Sequence, residues 1–254
     1  MAAPTYTIDA LVLRRTKLGE TDVIVTLLAE DGSQHKAVAK GARKPTSSFA
    51  SRLELFSSAT LLLAQGKNLD IVKEVRLTDG HANLRNDFFR ASAAAPLVEL
   101  LAKATFPEQP TARLYDLSSR TLTALEETSN DPLIITLAGM LKALAFLGFR
   151  PTFQECVGCG RSIDLEIANE QAFSYFDGGA VCPTCASCHE TTLLDASMLQ
   201  WCNTLLYSTL DEALSFQIPP AMLKDALAFT NEWIHLHLGI TMRSIGFLFK
   251  NILA

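Results

Sequence analysis

The stretch Tyr6–Gly32, "YTIDALVLRRTKLGETDVIVTLLAEDG", decides how the first part of the chain folds. Its first ten residues alternate, placing Tyr6, Ile8, Ala10 and Val12 on one side, the period of a half-buried strand. Gly19–Asp22, "GETD", is turn material, "DVIVTLLA" is rich in β-branched residues, and "EDG" at Glu30–Gly32 signals a hairpin. Working outward, "SQHKAVAKG", "SATLLLAQ" and "LDIVKEVRL" complete about five strands, divided by short polar turns, within residues 1–80. Five short strands in that length suit a small closed barrel such as an oligonucleotide-binding (OB) fold. An SH3-like barrel or a small sandwich has nearly the same periodicity.

From residue 81 the period changes to that of helices, in "NDFFRASAAAPLVELLAKATF" and "TARLYDLSSRTLTALEE". "NDPLIITLAGMLKALAFLGFRP" has readable ends: Asp131 caps, Pro132 fits the first turn, Gly148 takes the left-handed stop and Pro151 forbids continuation. "DASMLQWCNTLLYSTL" and "AMLKDALAFTNEWIHLHLGI" return to helical spacing after a cysteine-rich stretch. The expected class is α+β: an OB-fold barrel over residues 1–80, then a helical domain over 81–254 with a zinc-ribbon-like insertion at about 154–190.

In that insertion, Cys156-x2-Cys159 and Cys182-x2-Cys185 are separated by 22 residues, the spacing of a tetrahedral zinc site. Two intervening residues let one tight turn present both sulfurs to a single ion. "QAFSYFDGGAV" reads as a strand and a Gly-Gly turn that delivers the chain directly to Cys182. Cys185 with Cys188 keeps the same gap but leaves Cys182 idle, and His189 is a further candidate. Four sulfur ligands leave no open position for water, so the expectation is one structural Zn2+ rather than a hydrolytic centre. A redox role for either Cys-x-x-Cys is the alternative. Cys202, inside a helical pattern, reads as a core residue.

The net charge is −5, but it is unevenly spread. Residues 1–80 carry 11 Lys+Arg against 9 Asp+Glu, and residues 81–254 carry 11 against 18. "HKAVAKGARKPTSSFASR" gathers Lys36, Lys40, Arg43, Lys44 and Arg52 with no acid among them, and Arg14 and Arg15 extend the cluster. A basic strand face running into a basic loop suits a nucleic-acid backbone. Phe49 and Phe56 are the aromatics at hand, Phe56 reading rather as core, so backbone contacts should dominate.

Other signals exclude function classes. There is no GxxxxGK[ST] or GxGxxG loop and no organised nucleophile motif, so no enzyme is expected. His235 and His237, two apart on a helix, face different ways. The amino-terminal residues lack the pattern of a secretion signal, and the apolar run Leu133–Phe149 is interrupted by Lys142, so a cytoplasmic protein is expected. A zinc-ribbon transcription or translation factor is the competing reading. Against it, Arg161 is the only Lys or Arg between Cys156 and His189, amid Asp164, Glu166, Glu170 and Asp177.

Three stretches together go beyond pattern. "ALVLRRTKLGETDVIVTLLAEDG", "AVAKGARKP" and "LGFRPTFQECVGCG…GGAVCPTC" resemble, in order and spacing, the RecO family of bacterial DNA repair and recombination mediators. The resemblance implies an OB fold, a helical domain, and zinc held by Cys156, Cys159, Cys182 and Cys185. It implies binding of single- and double-stranded DNA through a basic segment falling here on Lys40–Arg43, and annealing of complementary strands. Implied partners are RecR and the C-terminal tail of single-strand-binding protein (SSB), with RecA served indirectly; the implied location is the cytoplasm, at the nucleoid. A tail carboxylate would meet a cation such as Arg90, Arg113, Arg120 or Lys142. The chain departs from many members after "KGARK", where "PTSSFASR" replaces further basic residues.

Overall fold

A computed structural model describes residues 3–253, which form two compact units that divide between Glu127 and Thr128. The first is built on β1 (Thr5–Leu18), β2 (Asp22–Ala29), β3 (Gln34–Ala39), β4 (Ser58–Ala64) and β5 (Asp70–Asp79). They close into a barrel in the order β1-β2-β3-β5-β4, with β3 and β5 parallel and the other pairs antiparallel. This is the OB arrangement expected from the strand count, and it removes sheet edges.

Closure depends on β1 serving two neighbours. Its first half pairs with β4 (Thr5↔Ala64 to Leu11↔Ser58) and its second with β2 (Ala10↔Ala29 to Leu18↔Asp22). Within the pairing with β2 the register shifts at Val12/Arg14, a bulge that bends the strand. Ala10 and Val12 face the core with Val25, Leu27, Ala37, Leu61 and Val72, while Tyr6 and Ile8 pack against it, as the alternation predicts. Leu11 and Leu13, on the other side of the strand, are equally buried because helix packs there.

That helical cover consists of α1 (Ala82–Asn86), α2 (Phe88–Ala104) and α3 (Arg113–Glu127). Asp87 caps α2 by accepting from the Phe89 and Arg90 amides. Gln34 Nε2 donates to the Ala102 carbonyl and to Thr105 Oγ1 (both 3.1 Å), tying β3 to the end of α2. The β2–β3 turn lies so close to the α2–α3 connection that a Cβ on Gly32 (φ +84°) would sit 2.1 Å from the Thr111 oxygen. The change of secondary structure falls at 80/81 as the periodicity predicts, but these three helices belong to the barrel's compact unit.

The second unit begins with α4 (Pro132–Phe146), whose ends match the sequence: Asp131 accepts from the Leu133 amide at 2.9 Å and Gly148 has φ +90°. After it, β6 (Glu170–Ser174), β7 (Gly179–Ala180) and β8 (Thr192–Asp195) form a three-stranded sheet of order β7-β6-β8. Helices α5 (Ala196–Tyr207), α6 (Leu210–Ala213), α7 (Pro220–Leu238) and α8 (Arg243–Asn251) complete the unit. β8 and α8 are too short in periodic pattern to stand out in the sequence. The sheet docks through aromatics: Phe173 is fully buried, with ring centroids 5.3 Å from Phe229 and 5.9 Å from Trp233, both near edge-to-face. Trp233 Nε1 satisfies its donor on the Phe149 carbonyl at 2.8 Å. No helix among the described residues is long and apolar enough to cross a membrane.

Candidate metal centre and nucleic-acid interface

The metal-ligand cluster is assembled by backbone hydrogen bonds before any ion is considered. The first knuckle turns at Gly160 (φ +70°), whose amide donates to the Cys156 carbonyl at 2.8 Å. The Val157 amide donates to the Ala180 carbonyl at 3.0 Å, fastening that knuckle to β7. The Gly178–Gly179 turn then leads into Cys182, and a Cβ on Gly179 would lie 2.4 Å from the Thr152 oxygen. In the second knuckle the Cys185 and Ala186 amides both donate to the Cys182 carbonyl at 3.0 Å.

The result brings Cys156, Cys159, Cys182 and Cys185 together, with ligand atoms all within 4.8 Å of one another. Cys159 Sγ and Cys182 Sγ are 3.8 Å apart, matching the about 3.8 Å between tetrahedral sulfurs each about 2.3 Å from zinc. Burial raises the Cys156 thiol, but amides of Cys182, Cys159 and Gly158 outweigh it and bring it down to about 6. The Cys185 amide holds the Cys182 thiol down, whereas hydrogen bonding with Cys159 and Cys182 pushes Cys185 up to about 12. A dication among the sulfurs relieves that crowding of negative charge, so the donor set fits a thiophilic metal. Exposed Cys188 lies outside the cluster, and His189 instead pairs its Nδ1 with Asp177 Oδ2 at 2.8 Å. Cys202 is fully buried in α5, and burial alone raises its thiol.

The basic residues sort differently once register is known. Arg14 pairs with Thr26 and Thr26 with Lys36, so these three lie in one row across β1, β2 and β3 on the side away from the core. Lys40 and Lys44 follow on exposed positions at the end of β3, beyond Val38. Arg15 separates from Arg14: it pairs with Val25, a core position, and binds Glu54 at 2.5 Å. Arg43 Nη1 donates to the Gly19 and Glu20 carbonyls (3.0 and 2.8 Å), anchoring the β1–β2 turn, and Arg52 Nη1 donates to the Val75 carbonyl at 3.1 Å.

Acids absent from the basic stretch itself arrive through the fold. Asp22 accepts from the Gly41 amide at 2.8 Å and from Thr21, which with the nearby Lys40 and Lys44 hold it below the usual carboxylate range. Cations outside the basic stretch also join the barrel surface: Lys67 in the β4–β5 turn and Lys73 and Arg76 on β5 are exposed. Lys73 and Arg76 lie on a strand whose parallel neighbour β3 is not adjacent in the sequence. Phe49 packs partly buried against the barrel core, and Phe56 is buried with φ +70°, so Phe56 offers no stacking face. Arg90 Nη1 donates to the Leu125 and Glu126 carbonyls (2.7 and 2.5 Å), and Lys142 Nζ to those of Leu206 (2.8 Å) and Ser208. Both thus cap helix ends in their own units, and burial lowers the Lys142 pKa.

With the barrel and the four-sulfur cluster in place, comparison with known proteins gives one answer across the chain. Residues 1–81 match the family described as Recombination protein O N terminal, and residues 85–245 match Recombination protein O C terminal. The chain belongs to the RecO family. It is 38% identical over 180 residues to a DNA repair protein RecO of Desulfitobacterium hafniense (strain Y51), covering 71% of this chain and 64% of that protein, less than two thirds of it. Over 241 residues it is 29% identical to the DNA repair protein RecO of Thermoanaerobacter sp. (strain X514), covering 94% of this chain and 95% of that one. The Roseiflexus sp. (strain RS-1) protein of the same name is 33% identical over 244 residues, covering 96% of this chain and 84% of that one. The resemblance carried by the three sequence stretches is thereby borne out. The two family segments meet at the β5–α1 junction, well before Glu127, where the compact units divide.

Proposed function

We propose that this RecO-family chain is a mediator of DNA repair and recombination that binds single- and double-stranded DNA and anneals complementary strands. In this reading it also helps RecA load onto SSB-coated strands, with RecR and the SSB C-terminal tail as partners. Its place is the cytoplasm, at the nucleoid. The observation that carries the proposal is the row Arg14–Thr26–Lys36 on the outer face of β1–β3, continued by Lys40 and Lys44. That face is where OB folds receive oligonucleotides. Neighbouring strands lie about 4.8 Å apart, so Arg14 and Lys36 span about 10 Å and can follow a sugar-phosphate backbone without reading bases.

In this reading the chain makes and breaks no covalent bonds. Annealing needs only that the repulsion between two phosphate backbones be lowered while bases pair, and cations on a rigid barrel do this for one strand. Cys156, Cys159, Cys182 and Cys185 would hold one Zn2+, which supplies rigidity where the ribbon meets α7. The ribbon is not the gripping surface: Arg161 is its one Lys or Arg, and its sheet spends Phe173 on the Phe229–Trp233 cluster. The SSB tail carboxylate would meet a cation such as Arg90, Arg113, Arg120 or Lys142; Arg90 and Lys142 also donate to helix-end carbonyls, and Arg120 lies 4.0 Å from Asp116.

The test is annealing of SSB-coated complementary strands by wild type, Arg14/Lys36/Lys40→Ala and Cys156→Ser. The triple variant is expected to fold and fail, with the salt slope of single-strand binding shrinking by about 2. Unchanged annealing by a folded triple variant would overturn the proposal.

A further inference from the structure

Among the described residues a second group of metal-ligating side chains exists, in the barrel unit and remote in sequence from the cysteines: Asp79, His81 and Glu126, with ligand atoms within 4.8 Å of one another. Asp79 ends β5, His81 precedes α1, and Glu126 lies in the last turn of α3. Each carboxylate is held by the backbone around it. Asp79 Oδ1 accepts from the His81 amide at 2.8 Å, and Glu126 Oε1 accepts from the Asn83 amide at 2.9 Å.

His81 is the unusual member. It adopts φ +41°, left-handed for a residue with a side chain, a conformation kept where surrounding structure enforces it. Only 3% of the residue is exposed. Its Nδ1 lies 2.9 Å from Glu126 Oε2, whereas Nε2 is buried and makes no hydrogen bond. A buried ring nitrogen without a partner carries a real desolvation cost. Asp79 Oδ2 lies 3.7 Å from it, too far for a hydrogen bond. An ion about 2.1 Å from each would subtend an angle near 120° between them, within reach of ordinary coordination.

The arrangement repeats a familiar logic of metal-bound imidazoles. A carboxylate accepting from one ring nitrogen fixes the tautomer, so that the other nitrogen presents its lone pair outward. Here Glu126 is the orienting carboxylate and Asp79 the anionic ligand beside Nε2. We infer that His81 Nε2 and Asp79 Oδ2, with His81 oriented by Glu126, bind a divalent transition-metal ion at the β5–α1 junction. One imidazole and one carboxylate suit Zn2+ or Mn2+, with water completing the shell. The Asp79 side chain is 55% exposed and gives the ion its way in. Arg85, on the same turn, directs Nη1 to Ser57 Oγ at 3.4 Å. Such an ion would clamp the end of the barrel to the end of α3, within one compact unit. It is independent of the four-sulfur centre and of the DNA reading.

The probe is Mn2+, titrated into the full chain with its cysteine site loaded with zinc, and followed by loss of the free-ion electron paramagnetic resonance signal. Wild type is expected to take up one Mn2+ per chain. Asp79→Asn and His81→Gln should weaken binding at least tenfold, and Glu126→Gln by a smaller factor, since its amide oxygen still accepts from Nδ1. Cys188→Ser should change nothing. Asp79 is largely exposed, so Asp79→Asn keeps the test decisive even where His81→Gln does not fold. Equal titrations for wild type and Asp79→Asn, or no uptake by wild type at millimolar Mn2+, would overturn the inference and leave His81 as a partner of Glu126 alone.

Discussion

The two compact units put polar chemistry to opposite uses. In the barrel unit, closure of the sheet around an apolar interior holds the fold, and the cations ride outside on alternate positions of β1 and β3. In the second unit the reactive side chains face one another: four sulfurs, two of them buried, converge at the ribbon's end while its sheet is pinned by Phe173, Phe229 and Trp233. The charge of Lys36 and Lys40 can therefore be removed without touching what holds the barrel together, unlike that of Arg43 or Arg52. A sulfur cannot, because ligand and brace are the same atom.

The largest expected effect breaks the brace. Cys156→Ser or Cys182→Ser should release about one metal ion per chain and cost several kcal/mol, lowering Tm by about 10 °C or more. Hydrogen exchange should show the weakening confined to residues beyond 127, and Cys188→Ser should retain the metal. Equal weakening of protection in the barrel would end the contrast between the units. Next comes the barrel's own tight spot. Gly32→Ala meets both a positive φ and the Thr111 backbone, so urea titration should show a destabilisation of about 2–4 kcal/mol.

Charge removal should be milder still for stability. Lys36→Gln with Lys40→Gln should leave Tm unchanged while the salt slope for single-stranded DNA shrinks by about 1.4, or about 0.7 for each phosphate no longer neutralised. A full slope in that variant would move the interface elsewhere. The smallest effect concerns Asp22, which sits beside Lys40 and Lys44 and dilutes their charge. Asp22→Asn keeps an acceptor for the Gly41 amide and should tighten DNA binding about two- to threefold, in line with one exposed charge pair. Because the folded protein holds Asp22 below the usual carboxylate range, its support of the Gly41 turn is present at neutral pH. That support fades only as pH falls through the lowered value, which amide exchange at Gly41 would follow.

Much of the fold was legible because local rules agreed with the tertiary result. Period-two alternation in β1, β-branched content in β2 and short polar turns between apolar runs marked the five barrel strands, and Asp131, Pro132 and Gly148 bounded α4. Cysteine spacing marked the four clustered sulfurs, since two-residue gaps act through local turns. What stayed hidden was nonlocal. The helices α1–α3 joined the barrel unit, β8 paired with β6 across the ribbon, and Asp79, His81 and Glu126 met although 45 residues separate His81 from Glu126.

The sequence by itself determined the five barrel strands, the longer helices and the two Cys-x-x-Cys knuckles, because those depend on spacing of two to four residues. Only the tertiary structure decided which cations share a surface. A single bulge at Val12/Arg14 reverses the alternation, sending Arg14 outward beside Lys36 and Arg15 to Glu54. Neither residue's own neighbours encode that choice: it follows from β1 having to bend so that one strand can pair with both β2 and β4 and close the barrel.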